Sequence, residues 1–124
     1  MKAILDSDVL IDYLQGVPEA RLELSRYSDP RYSMISLIEL HCGAEDEREA
    51  RAVDILLDSL SRVEINREIG LRAVELRRTL RLKLPDAVVL ASADVEGCIL
   101  VTRNRRDFPA DDPRVRFPYE LSGK

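Results

Sequence analysis

The sequence has no tryptophan, one histidine and two cysteines, and each shortage closes off a class of chemistry. A lone His41 excludes paired-histidine acid–base catalysis and a histidine-rich metal centre. Cys42 and Cys98 lie far apart, without Cys-x-x-Cys spacing, so neither a zinc cluster nor a disulfide framework is encoded. Both read as small buried apolar residues of a reducing compartment. No apolar run approaches the ~20 residues of a membrane span, and the start of the chain lacks an export-signal pattern. The expectation is a cytoplasmic protein with no membrane partner. Lysine is scarce as well: Lys2, Lys83 and Lys124 are the only ones in a chain of net charge −4. That balance argues against a general nucleic-acid binder held by bulk positive charge.

The positive charge that remains is arginine, and it is bunched. Arg77, Arg78, Arg81 and Lys83 precede Asp86, while Arg103, Arg105 and Arg106 precede Asp107. Such runs can be solvated faces. Arginine also suits bidentate phosphate contact, which makes Arg81, Lys83, Arg103, Arg105 and Arg106 candidate phosphate contacts.

With 124 residues, 45% hydrophobic and 34% charged, the chain is long enough for one domain, 1–124, that buries around two-thirds of its unfolded surface. An apolar run over 3–5 stops at Asp6, and an apolar-periodic segment starts at Val9. The pattern is a buried strand turning sharply into a helix. Asp8 reads as the cap of that helix, and Asp6 as either a turn carboxylate or an acid at a strand outlet. A second helix is predicted over about 19–27, ended by Ser28-Asp29-Pro30. A strand follows over 31–35, then a helix opening at Ser36, whose Ser-x-x-Glu spacing lets Glu39 be either a capping-box partner or a ligand.

Ala52, Val53, Leu56, Leu57 and Leu60 recur at helical spacing. A short strand is predicted over 62–65, and a helix through Ile69, Ala73, Leu76 and Leu80. The segment after Pro85 is a helix apolar nearly all round and ended by Gly97, with Asp86 in its first turn, where it also complements the helix dipole. The run 98–102 reads as a central parallel strand. Its outlet carries Thr102, Asn104 and Asp107. A last strand is predicted over 114–117. The succession is that of an α/β protein, a three-layer α/β/α sandwich around a mainly parallel sheet.

In a parallel sheet all strand outlets share one edge, so Asp6, Glu39 and Asp107 can converge, and Asp86 can join them. Four gathered carboxylates resist ionisation unless a cation lies between them. With no histidine or cysteine set available, that cation would be a hard one, Mg²⁺ or Mn²⁺. Such a site can activate water for attack on a phosphodiester.

Four segments carry a family resemblance: Leu5-Asp6-Ser7-Asp8-Val9-Leu10-Ile11-Asp12, Ser36-Leu37-Ile38-Glu39-Leu40, Leu84-Pro85-Asp86-Ala87 and Thr102-Arg103-Asn104-Arg105-Arg106-Asp107-Phe108. Together they make the chain resemble the PIN-domain family, and within it the VapC-like toxins of type II toxin–antitoxin systems. The resemblance implies a Mg²⁺- or Mn²⁺-dependent endoribonuclease with Asp6, Glu39 and Asp86 at the metal and Asp107 as a fourth, more variable acid. Asp8 stands where the family more often has Asn or Ser. Asn104 stands where some members place their fourth acid, which puts Asp107 in an outer position. Thr102 matches a hydroxyl that hydrogen-bonds around the site. The implied partners are an RNA substrate, a cognate VapB-like antitoxin and a second copy of the chain, with DNA contacted only through the antitoxin. The alternatives are a PIN-fold RNA-processing nuclease outside a toxin system and a PIN-fold binding module that does not cut. A phosphorylatable receiver domain fits less well, because Asn66 rather than an acid follows the 62–65 strand.

Overall fold

A strand that is apolar on both faces must be covered on both, and the innermost strands of this sheet are of that kind. The computed structural model describes residues 2–121. In chain order they form β1 (Lys2–Leu5), α1 (Ser7–Leu14), α2 (Pro18–Ser25), β2 (Asp29–Ser33), α3 (Met34–Gly43), α4 (Glu47–Asp58), β3 (Ser61–Val63), α5 (Arg67–Leu80), α6 (Leu84–Glu96), β4 (Ile99–Val101) and β5 (Val115–Arg116). The strands make one sheet in the order β3-β2-β1-β4-β5, with every pair parallel. The predicted α/β/α layering is present, and the sheet is wholly parallel.

Successive side chains of a strand point to opposite faces, and β1 divides the core accordingly. Ile4 packs with Leu76, Leu90, Leu100 and Phe108 on the face covered by α5 and α6. Ala3 and Leu5 pack with Val9, Leu40, Leu56 and Val101 on the face covered by α1, α3 and α4. Helix α6 is buried from Ala87 through Ala93, starts with Pro85 in its first turn and stops at Gly97, whose φ is 67°. A left-handed residue of this kind ends a helix without a Cβ clash.

The chain builds outward from β1 through β2 to β3, then returns to place β4 on the other side of β1. This reversal leaves a crevice beside the carboxyl ends of β1 and β4, where open α/β sheets bind ligands. The two outlets are joined directly, since the Asp6 amide donates to the Val101 carbonyl at 2.9 Å.

Three local expectations are corrected. The second strand ends at Ser33, and its helix starts at Met34 rather than Ser36. The Ser33 hydroxyl accepts the Ile35 amide at 3.1 Å, so Ser33 takes the capping role. Asp6, not Asp8, caps α1, because the helix follows β1 with no loop between them. Cys42 is exposed on the last turn of α3, whereas Cys98 is buried as expected.

Candidate active site

Asp6 ends β1 in an extended conformation, and its side chain lies in the crevice, only 8% exposed. One carboxylate oxygen accepts the Ser7 amide at 2.9 Å; the other accepts the Thr102 hydroxyl, from the outlet of β4, at 2.8 Å. The same hydroxyl lies 3.3 Å from Asp8 Oδ2, which also accepts the Arg103 amide at 3.1 Å. Thr102 has one proton for two carboxylates. Burial, followed by repulsion from Asp8, pushes the Asp6 carboxyl up to about 7. Asp8 is also raised, by burial first, against the pull of Arg103.

Glu39 is not a cap. It is exposed in the second turn of α3, and its Oε1 accepts the Ser7 hydroxyl at 2.6 Å. Ser7 also stands 2.9 Å from the hydroxyl of Ser36, which is fully buried. With Ser7's proton directed to a carboxylate, Ser36 must donate to Ser7. The result is a hydroxyl chain, Ser36 to Ser7 to Glu39, that pins one Glu39 oxygen to the start of α1.

Asp86 enters from the first turn of α6. Burial raises its carboxyl to about 6, and Asp107, Glu39 and Asp8 add repulsion that Lys83 partly offsets. Asp86 thus lies near enough to Asp107, Glu39 and Asp8 to feel their charge. Asn104 folds the loop after β4 around Asp107, donating Nδ2 to Asp107 Oδ2 at 2.9 Å and accepting the Asp107 amide at 3.2 Å. Lys83 Nζ lies 3.4 Å from the same Asp107 oxygen. The Asn104 contact, with Lys83 and Arg106 in support, holds Asp107 below the usual carboxylate range. Asp107 is thus the fully charged, outward member of the group, while Asp6 and Asp86 resist charging.

Every donor here is a hard oxygen, the chemistry that Mg²⁺ and Mn²⁺ prefer. One buried atom has no partner among the described residues, Asp8 Oδ1, and an orphaned acceptor among raised carboxyls fits a cation. Among the described residues no group of three or more acids, histidines or cysteines stands close enough together to hold a metal ion. A hard ion that keeps several waters and takes one or two carboxylates does not need such a group.

The predicted phosphate contacts divide by direction. The Arg103 guanidinium turns inward, to Asp12 at 2.5 and 3.2 Å. Arg105 stacks over the Phe117 ring at 4.7 Å and pairs with Glu120 at 3.0 Å. Arg81 and Arg106 are exposed and form no salt bridge among the described residues. Arg81 turns the chain out of α5 with a left-handed φ of 57°. Ser7, Asp12 and Tyr119 were missed by sequence reasoning. A carboxylate four residues after Asp8 on an otherwise apolar helix was an available signal for Asp12; Tyr119 had none.

The PIN domain model matches residues 3–110. The chain is 34% identical to ribonuclease VapC10 of Mycobacterium tuberculosis over 128 residues, covering 97% of this chain and 95% of that protein. A toxin–antitoxin complex from Klebsiella pneumoniae contains a similar chain, with a TM-score of 0.89, 35% identity and coverage of 96% of this chain and 99% of that one. The DNA-bound VapBC of Salmonella typhimurium shares the fold, with a TM-score of 0.81, 24% identity and coverage of 94% and 96%.

Proposed function

Since the chain belongs to the PIN-domain family, and within it to the VapC-like proteins, we propose that it is a Mg²⁺- or Mn²⁺-dependent endoribonuclease, the toxin of a VapBC-like pair. One observation carries the reading. Asp6 and Asp8, at the carboxyl end of β1, share the single Thr102 hydroxyl proton from the outlet of β4, at 2.8 and 3.3 Å, and Asp8 Oδ1 has no partner among the described residues, an uncompensated acidic pair at the sheet's ligand-binding edge.

Asp6 and Asp86 would hold the ion, with Glu39 assisting directly or through water and Asp107 toward a second position used with substrate. When bound, the ion supplies Lewis acidity and a water that ionises near neutral pH. The chain's own groups do the rest. Thr102 fixes the Asp6 carboxylate. Ser7 occupies one oxygen of the exposed Glu39, which leaves the residue placed to orient a water at the mouth of the site. Lys83 brings a cation beside Asp107, where RNA phosphate can meet it.

An apolar groove of about 270 Å³ runs from Glu39 past Ile11, Leu14, Leu40 and Val53. Its apolar walls and acidic end suit an antitoxin segment that carries apolar anchors and one basic residue. Leu71 and Val74 are exposed on α5 and offer an apolar face for a second copy of the chain.

The test is digestion of total cellular RNA by antitoxin-free protein in Mn²⁺ or Mg²⁺. Discrete fragments that disappear in EDTA are expected. Uncut RNA, or cleavage indifferent to EDTA, would overturn the proposal.

The two directions taken by the arginines predict different phenotypes. Arg106→Ala is expected to weaken RNA binding and lower the salt slope by about one phosphate contact, leaving stability unchanged. Arg103→Ala leaves the buried Asp12 without its cation, held only by the Tyr119 hydroxyl, and is expected to cost on the order of 3 kcal/mol of folding stability. Filter binding across a salt series and urea unfolding separate the two.

A further inference from the structure

The segment after β5 crosses back over the site. Tyr119 donates its hydroxyl to Asp12 Oδ2 at 2.9 Å, and the same oxygen accepts Arg103 Nε at 2.5 Å. Arg103 reaches the other oxygen at 3.2 Å. Asp12 is 3% exposed, one helical turn beyond Asp8. While the Arg103 side chain is anchored there, its backbone amide holds Asp8 and the preceding Thr102 hydroxyl holds Asp6. On the outer side, Arg105 lies between Phe117 and Glu120. The loop that carries Thr102, Asn104 and Asp107 is therefore gripped on two sides by the tail.

A buried carboxylate that accepts from two directions has one orientation; held by Arg103 alone, it can swing with the arginine. Burial and the adjacent Asp12 raise the Tyr119 phenol well above its ordinary value, so it stays a donor at physiological pH. Tyr119 and Asp12 contribute no strand pairing; their contact joins the tail to α1 and, through Arg103, to the loop after β4.

We propose that Tyr119 is a positioning residue of the active site: its hydroxyl fixes Asp12 and, through the Asp12–Arg103 pair, holds the 102–107 loop so that Asp8 and Asp6 keep their orientation. Only the kinetic part of the test rests on the nuclease reading.

Tyr119→Phe removes one oxygen and keeps the ring. Amide hydrogen exchange by NMR is followed in parallel with RNA cleavage kinetics. Exchange at the Arg103 and Asn104 amides should accelerate about tenfold, and kcat should fall about tenfold with KM within twofold, as expected for one lost charge-assisted hydrogen bond. Amides of α6 should be unchanged. Wild-type exchange and kcat in the variant, even with a lowered melting temperature, would overturn the proposal. If the variant exchanges globally, Arg103→Lys, which keeps the charge and loses the bidentate grip, must show the same local acceleration or the proposal fails. If the wild type does not cut RNA, the exchange result still decides whether Tyr119 positions the loop.

Discussion

Asp6→Asn is expected to lower metal-dependent RNA cleavage by about a hundredfold or more, and to leave a protein that, without metal at neutral pH, unfolds at a higher temperature than the wild type. The loss follows from charge. Asn keeps the size and one acceptor, so the Ser7 amide stays satisfied, and the Thr102 hydroxyl can reverse to accept the new amide while donating to Asp8. The fold is spared, but the anionic ligand is gone. The gain in stability follows from the raised carboxyl. Burial and the neighbouring Asp8 push the Asp6 carboxyl up to about 7 in the folded chain from an ordinary 3.8. A group raised in this way contributes stability that is full below the ordinary value and is lost as pH rises through the folded one. In EDTA the difference in melting temperature between variant and wild type should therefore widen from pH 4 to above pH 7. The expected gap is about 5 °C or more, the size of a shift of a kcal/mol or two in a chain of this length. A variant that cuts RNA at the wild-type rate would remove Asp6 from the centre of the site. An inactive variant with no gain in stability would mean that Asp6 is not a destabilised carboxylate.

That opposition between stability and activity was legible in the sequence only in part. Acids that interrupt apolar runs at 6 and 102–107 mark strand outlets, and parallel strands force those outlets onto one edge. The layering and the gathering of the acids follow from these facts. Local choices between equals do not. Ser33 and Ser36 can each cap a helix; the pairing of Ser33 with Val63 prolongs the strand only to Ser33 and decides between them. Asp6 could not be seen to cap and face the crevice at once, because that requires β1 to enter α1 with no intervening loop. The direction of Arg103 depends on Asp12, a tertiary neighbour ninety-one residues away. Tyr119 reaches the site from further still, with no periodicity around it to signal a buried contact. Contacts set by the chain's own rhythm could be read in advance; those closed by the tail could not.

Mn²⁺ is expected to raise the melting temperature of the wild type at pH 8, and to do so progressively less as pH falls toward 5.5. Binding to the folded chain alone stabilises it by RT ln(1 + [L]/Kd), about 2.7 kcal/mol at a hundred times Kd, which is a shift of several degrees here. The pH dependence comes from competition between ion and proton. Asp6 at about 7 and Asp86 at about 6 are largely protonated at pH 5.5 and must release those protons to become ligands. Asp107, held low by Asn104 and Lys83, is charged throughout and sets no such threshold. The increment should thus rise across the interval in which Asp6 and Asp86 ionise, and level off above it. Asp6→Asn and Asp86→Asn should each flatten the curve, while Asp107→Asn should shift its height more than its midpoint. Thermal melts at fixed ionic strength, with Mn²⁺ matched against EDTA, provide the comparison. An increment independent of pH would place the ion on carboxylates other than Asp6 and Asp86. An increment retained in both variants would separate metal binding from the crevice between β1 and β4 altogether.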